Sequence, residues 1–376
     1  MLRVRAVGVN AVRAFPGSGD DGSTCNPPAT GAARLASVNE RDVTTSVGAS
    51  GHLPGVHGTL AWRRPLTSDG RSGARLEQVQ LEDGRRLVVK HVDPASDWIA
   101  LATGDVRRVF LLWSSGILDR VPRVIDHAVL AVEPVGEHGS RVVMRDVSAD
   151  LFADGRRLSR ADSRRILAAA AELHRTFRWG SPPAGLTPLP ELYRFLSPSV
   201  AARFPRDAAV PALALRGWDR FGDLVPDEVA DAVAHVHEQP ETLARLLTRR
   251  TCTLVHGDLK LANLGFRDGL VVVLDWGSLT TWAPAAVDFA WFLAINAASI
   301  DATHDDLQAD IRAAGGADHD EDALRLALLG ALAQLGWEKA LGATDSPDER
   351  VRQRERAGLA WWSARVREAI EALDST

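Results

Sequence analysis

The chain's apolar residues fall first into two short strand-like runs, Arg75–Leu81 and Arg86–Val92, joined at Asp83-Gly84. That dipeptide supplies the positive φ angles of a tight turn, so the pattern predicts a β-hairpin. A small-residue turn, Ser68-Asp69-Gly70-Arg71-Ser72-Gly73, leads into it. Next, Trp98, Leu101, Ala102, Asp105, Val109, Leu112 and Trp113 recur at helical spacing and predict one helix with an inward stripe. Runs at 124–132 and 141–145 predict a second hairpin, completing a β-rich unit of about 90 residues that carries one helix. Beyond Ser148 the period becomes helical. Ser159 is a candidate N-cap for an Ala-rich helix through Phe177 with Leu167, Ala171 and His174 on one face. Further helices are expected at 227–247 with a break at Pro240, at 285–298, 320–341 and 350–373, with one strand-rich interruption over 251–274.

Residues 1–55 show neither period and run through Pro16-Gly17-Ser18-Gly19, Pro27-Pro28 and Gly48-Ala49-Ser50-Gly51. They read as a disordered extension or as the result of a start assigned too far upstream, and are set outside the fold. The expected organisation is therefore 1–55 extension, 56–145 β-rich unit and 146–376 helical unit. With 376 residues, 45% hydrophobic, 25% charged and a formal net charge of -5, a sizeable core can form, and the basic footprint of a nucleic-acid binder is missing. Cys25 and Cys252 are isolated, giving neither a disulfide framework nor a C-x-x-C site, which fits a reducing cytoplasm. The most apolar long stretch, 285–300, is broken by Asp288 and Asn296, and the N-terminus shows no clear signal-peptide core. A soluble protein with no membrane partner is expected. Lysine occurs only at 90, 260 and 339, so 41 of the 44 basic residues are arginine and each lysine stands out as a compact point charge.

Chemistry concentrates in the strand-rich interruption, which carries His256-Gly257-Asp258-Leu259-Lys260-Leu261-Ala262-Asn263, a turn at Asp268-Gly269, and Asp275-Trp276-Gly277. If Asp268-Gly269 turns a hairpin, Asn263 and Asp275 finish at the same end, nearly opposite each other. Opposed Cα atoms lie ~4.5–5.5 Å apart, close enough for two side-chain oxygens to share one Mg²⁺ at ~2.1 Å. Asp258, in the entering loop, can face a ligand of that ion without binding it. In 86–92, Lys90 shares a face with Val88 and Val92, so its ammonium leaves an apolar surface, as a functional group or as an edge-strand lysine.

This order resembles the catalytic segment of the kinase superfamily, H-x-D-L-x-x-x-N followed by D-x-G, with Gly257 in place of the Arg of protein kinases and Trp276 in place of the Phe. His-Gly-Asp is similar to the aminoglycoside phosphotransferase family. The resemblance implies an α+β, two-lobed protein-kinase-like fold: a small β-rich N-lobe that binds nucleotide and a larger α-helical C-lobe with the catalytic loop and acceptor site. It implies ATP, with GTP equally open, and Mg²⁺ held by Asn263 and Asp275. Asp258 would position a substrate hydroxyl and accept its proton, Lys260 would touch the moving phosphoryl group, and Lys90 would pair the α and β phosphates. Gly70, Ser72 and Gly73 would form the turn over the triphosphate, although their spacing is not the full G-x-G-x-x-G. The backbone near 144–147 would meet adenine. His256 would be a scaffold residue. Asp288, in a helix too apolar to leave it exposed, would accept hydrogen bonds from the catalytic loop; the helix dipole gives an alternative role for its charge. One departure stands out. The helix glutamate expected to pair with Lys90 is missing before Ser114, and Asp105 is either its substitute or a partly exposed helix Asp.

Three functions follow from these residues: a small-molecule O-phosphotransferase, a protein kinase, or a non-catalytic nucleotide-binding regulator on a degenerate kinase fold. Only ten residues separate Gly277 from Asp288, little room for a peptide-docking segment, and Lys90, Asp258, Asn263 and Asp275 are all present. A small hydroxylated acceptor is therefore expected. Residues 296–350 hold twelve acidic side chains against four basic ones. Asp301, Asp305, Asp306, Asp310, Asp318, Asp320, Glu321 and Asp322 either bias the cleft toward a cationic acceptor or form a solvated face.

Overall fold

The computed structural model describes residues 53, 55–66, 74–94, 96–105, 107–153, 155–205 and 208–374. Gly70, Ser72, Gly73 and nearly all of the 1–55 extension lie outside them. Leu53 and Val56 are buried against the first sheet, so ordered packing starts slightly before residue 56.

The N-terminal lobe is built on strands β1 (Leu60–Leu66), β2 (Arg75–Leu81) and β3 (Arg86–Val92). Helices α1 (Trp98–Ala102) and α2 (Arg108–Ser114) follow, then strands β4 (Ile125–Asp126), β5 (Val129–Val135) and β6 (Gly139–Arg145). The sheet order is β1-β2-β3-β6-β5, all antiparallel. Three expectations change here. β1 was not anticipated. β3 is the central strand, which removes the edge-strand reading of Lys90. The single helix expected over 98–113 is two helices, because Gly104 (φ 61°) and Arg107 (φ 69°) take left-handed backbone that an α-helix cannot contain.

The C-terminal lobe runs β7 (Leu158–Ser159), α3 (Arg160–Phe177), α4 (Leu189–Arg194), α5 (Pro198–Ala201), α6 (Ala209–Phe221), α7 (Asp227–Glu238) and α8 (Pro240–Thr248). Then come β8 (Thr253–Val255), β9 (Leu264–Arg267), β10 (Leu270–Val273), β11 (Thr281–Ala283), α9 (Ala286–Asn296) and β12 (Ile300–Asp301). Helices α10 (His304–Gly315), α11 (Glu321–Asp345) and α12 (Glu349–Asp374) close the chain. Ser159 caps α3 as expected, accepting from the Asp162 amide. α11 is apolar on nearly every side, as a helix in the middle of a helical lobe must be. It crosses α6 so closely that a Cβ on Gly217 would stand 2.1 Å from Trp337 O. Among the described residues, no helix is long and apolar enough to cross a membrane.

Several contacts set the lobes against each other. Short β4 pairs in parallel with β10, tying the N-terminal lobe to the hairpin that carries Asn263 and Asp275. On the other side, the Trp98 ring stacks on Phe195 at 6.2 Å between centroids and meets Phe204 edge-on at 5.8 Å.

At the far end of the helical lobe, His304 stacks on Trp361 of α12, and Asp305 accepts the Trp361 indole N–H at 2.7 Å. Burial, reinforced by Lys339, pushes the His304 imidazole down to about 4, and Asp305 opposes the shift. A histidine held neutral in the folded state destabilises it where the unfolded chain is protonated. Stability is therefore expected to fall as pH drops from 6.5 to 4, by roughly 3 kcal/mol from this group. His304→Gln should flatten that part of a calorimetric Tm–pH curve; an unchanged slope would contradict the assignment.

Candidate active site

The site begins with a turn. Asp268 (φ 49°) and Gly269 (φ 83°) form the two-residue left-handed connection of a tight hairpin, and the register runs Leu270 opposite Arg267 to Val273 opposite Leu264. The Leu274 amide then donates to Asn263 O at 2.8 Å, so Asn263 and Asp275 emerge at the same end, as the spacing predicts. Asn263 Nδ2 donates to Asp258 O and Asp258 Oδ2, both at 3.0 Å. Both amide protons are thereby committed, and any further ligand meets Asn263 through Oδ1.

Two lysines from different lobes enter this cluster. Lys90 Nζ donates to Asp275 Oδ1 across 185 residues of sequence, and Lys260 Nζ donates to Asp258 Oδ2 at 2.6 Å. Ser278 Oγ adds a hydrogen bond to Asp275 Oδ1 at 2.7 Å. Burial pushes the Asp275 carboxyl up, but the ammonium groups of Lys90 and Lys260 with these hydrogen bonds outweigh it and hold the carboxyl well below its usual range. Burial likewise opposes the charge on both lysines, and their carboxylate partners reverse the direction, leaving each raised. An ionised Asp275 beside an oriented Asn263 oxygen is a hard-oxygen donor pair, and it fits Mg²⁺.

Asp105 makes no ion pair with Lys90 among the described residues, although the Lys90 charge reaches it. It lies between α1 and α2, accepts the Arg108 amide at 2.7 Å through Oδ1, and places Oδ2 3.5 Å from Arg108 Nη1. The carboxylate bonded to Lys90 is Asp275. Asp97, the N-cap of α1, accepts from the Ile99 and Ala100 amides, and its field also reaches Lys90. Burial leaves both Asp97 and Asp105 raised. An Asp immediately before a helix was the available signal for Asp97.

The loop holding Asp258 is fixed from below by Asp288, which is fully buried in α9. Its carboxylate accepts the His256 amide at 2.9 Å, the Gly257 amide at 2.7 Å and His174 Nε2–H at 3.0 Å. Burial raises Asp288, yet these donors bring it below the ordinary carboxylate value. His256 Nε2–H donates to Leu274 O at 3.0 Å while Nδ1 accepts the Asp258 amide at 3.2 Å, a pattern that only one neutral tautomer satisfies. Burial lowers its pKa in the same sense. Gly257 has φ 82°, and a Cβ there would stand 2.3 Å from Leu279 O, so glycine is required between His256 and Asp258. Asn296 braces the other side of the loop, accepting the Leu261 amide at 2.9 Å and donating to Leu259 O at 2.8 Å. Neither Asn296 nor the bond from His174 was legible in the sequence.

A profile of the phosphotransferase enzyme family (APH) matches residues 69–329 of this chain. The chain belongs to this family. No curated protein sequence matches it. Among solved structures, an aminoglycoside phosphotransferase from Streptomyces rimosus in complex with ADP and streptomycin is 19% identical, with 71% of this chain and 94% of that chain covered and a TM-score of 0.45. A choline kinase from Streptococcus pneumoniae is 10% identical, with 81% and 94% covered and a TM-score of 0.45. An aminoglycoside phosphotransferase from Alicyclobacillus acidocaldarius is 16% identical, with 84% and 92% covered and a TM-score of 0.40.

In this phosphotransferase-family chain, the acidic segment does not supply a free negative field. Asp301 pairs with Arg157, Asp306 with Arg160, and Asp310 with both Arg160 and Arg164. Asp318 pairs with Arg178, Asp320 and Asp322 face Arg250, and Glu321 is held by Arg312 and His319. Asp305 accepts from the Trp361 indole. The cationic-acceptor reading of these eight residues is corrected: seven are matched by basic partners and the eighth by a hydrogen-bond donor, mostly between elements of the helical lobe.

Asp288→Asn puts an NH₂ against backbone donors and should cost about 3 kcal/mol or more in urea unfolding near neutral pH. Because the native pKa is depressed below 3.8, the wild-type advantage is expected above that value and to shrink as pH falls through the native pKa. Equal stability of the two proteins at pH 7 would contradict the scaffold role.

Proposed function

We propose that this phosphotransferase-family chain moves the γ-phosphoryl group of ATP to a hydroxyl of a small molecule. The observation that carries the reading is the meeting of Lys90 from the sheet with Asp258, Lys260, Asn263 and Asp275 from the catalytic loop and hairpin. Such a set offers a proton acceptor, two phosphate-seeking cations and two oxygen ligands within one half-buried cluster. The short connection after Gly277 supports a small acceptor, since residues 281–283 are already paired with 253–255 and leave little chain to dock a peptide.

In this reading Asp258 Oδ2 is engaged by Lys260 and Asn263, so Oδ1 receives the acceptor hydroxyl. The hydroxyl oxygen bonds to the γ-phosphorus, the bond from that phosphorus to the β-γ bridging oxygen breaks, ADP leaves, and the proton passes to Asp258. Lys90 exchanges Asp275 Oδ1 for the α and β phosphates, and Lys260 turns from Asp258 toward the transferring group. Asn263 and Asp275 would hold Mg²⁺, which would supply neutralisation of the triphosphate charge. The His256 tautomer and the Asp288 hydrogen bonds keep Asp258 in place without entering the chemistry.

Asp258→Asn should leave nucleotide affinity within ~2-fold while lowering transfer by ~10²–10⁴-fold, measured by calorimetric binding beside ADP release. Unchanged turnover with intact binding would remove Asp258 from the reaction. Lys90→Ala should weaken ATP by ~10-fold or more and leave adenosine binding unaltered. Equal loss for both ligands would point to a folding defect instead of a lost phosphate contact.

A further inference from the structure

Arg108, the first residue of α2, is 2% exposed, and its guanidinium reaches three separate segments. Nη1 donates to Gly277 O and Ser278 O, both at 2.9 Å, Nε to Gly185 O at 3.2 Å and Nη2 to Thr103 O at 3.3 Å. Asp105 supplies the nearby negative charge at 3.5 Å. Gly277, with φ 99°, lets α2 approach so closely that a Cβ would stand 2.7 Å from Val109 N. A side-chain fork and a backbone contact thus join α2 to the turn directly after Asp275.

That turn needs holding. Asp275 itself has φ 67°, a left-handed conformation that costs a non-glycine residue ~1–3 kcal/mol and persists only where the surroundings over-determine it. Burying a guanidinium is also costly, and an apolar residue would pack a helix with less desolvation. What an apolar residue would not do is fix the Gly277 and Ser278 carbonyls. Ser278 in turn donates its Oγ to Asp275, and the Gly277 amide is held by Thr280 Oγ1 at 3.0 Å.

We propose that Arg108 is a positioning residue: by clamping the Gly277 and Ser278 carbonyls it fixes the direction of the Asp275 carboxylate. It ties α2 to the metal-binding turn directly, where a helix glutamate would have tied it to Lys90. The proposal rests on the reading of Asp275 as a Mg²⁺ ligand.

The test compares wild type with Arg108→Met, Arg108→Lys and the double variant Asp105→Asn/Arg108→Met, which removes both members of the buried pair and guards against a stranded carboxylate. In ligand-free protein, amide exchange over 276–280 should speed up ~10-fold in Arg108→Met and the double variant and less in Arg108→Lys, with exchange in α11 unchanged. The Mg²⁺ concentration that half-saturates ADP binding should rise ~10-fold, while metal-free ADP affinity moves by less than ~2-fold. Wild-type exchange and wild-type Mg²⁺ dependence in the folded variants would overturn the proposal, as would an equal loss of metal-free and metal-supported binding. Asp275→Asn separates the two claims. If it too leaves the Mg²⁺ dependence untouched, the metal reading fails; if it abolishes the dependence while Arg108→Met does not, only the clamp fails.

Discussion

Two ammonium groups and two carboxylates meet at the junction of the lobes, Asp258 buried and the other three half-buried, and each is paired with an opposite charge. Desolvating an unpaired charge costs several kcal/mol even after relaxation, so the Lys90–Asp275 and Lys260–Asp258 pairs constrain where β3, the catalytic loop and the hairpin can sit. Lys90 lies on a central strand, where hydrogen bonds on both sides fix its register. Asp258 and Asp275 belong to opposite ends of a loop and a hairpin joined at Asn263 and closed by a two-residue turn. Asp288 then holds the loop from the core side with two backbone hydrogen bonds, and His174 of α3 donates the third to its carboxylate. Each lysine has a carboxylate partner, which in the proposed reaction it exchanges for a phosphate oxygen.

What the sequence made legible follows from how local each signal is. The hairpin at Asp83-Gly84, the turn at Asp268-Gly269, the Ser159 cap and the spacing of Asp258, Asn263 and Asp275 are each set within a short stretch of chain, and the structure reproduces them. Less local features escaped. β1 is exposed along much of one side and carries little alternation. α6 contains Pro211 and Gly217, which weaken a helical reading, yet Gly217 is what allows its close crossing with α11. The helix expected over 98–113 had the right period but not the right backbone, since Gly104 and Arg107 interrupt it. Asn296 meets the loop around Asp258, and His174 meets the Asp288 carboxylate, only through tertiary packing, which no periodicity records.

Charge counting misled for a related reason. Of the acidic residues of 296–350, Asp301, Asp306, Asp310, Asp318, Asp320 and Asp322 are in excess only along the chain, because their partners Arg157, Arg160, Arg164, Arg178 and Arg250 lie in earlier elements. In space the segment is largely neutralised. Asp105 was similarly read along one helix, whereas its partner Arg108 belongs to the next one and faces the turn after Asp275. Asp258, Asn263 and Asp275 fall together as their spacing predicts because they are near neighbours in sequence, whereas Lys90 meets Asp275 across 185 residues.

Phosphoryl transfer at the Asp258 cluster is tested most directly by following the phosphorus itself. Purified protein with Mg²⁺ and ATP, incubated with a panel of hydroxylated small molecules and followed by ³¹P NMR, should give ADP together with a new phosphate-monoester resonance for at least one acceptor, in equal amounts. ATP that is bound but never yields a monoester with any hydroxylated acceptor, or that yields only inorganic phosphate, would contradict it.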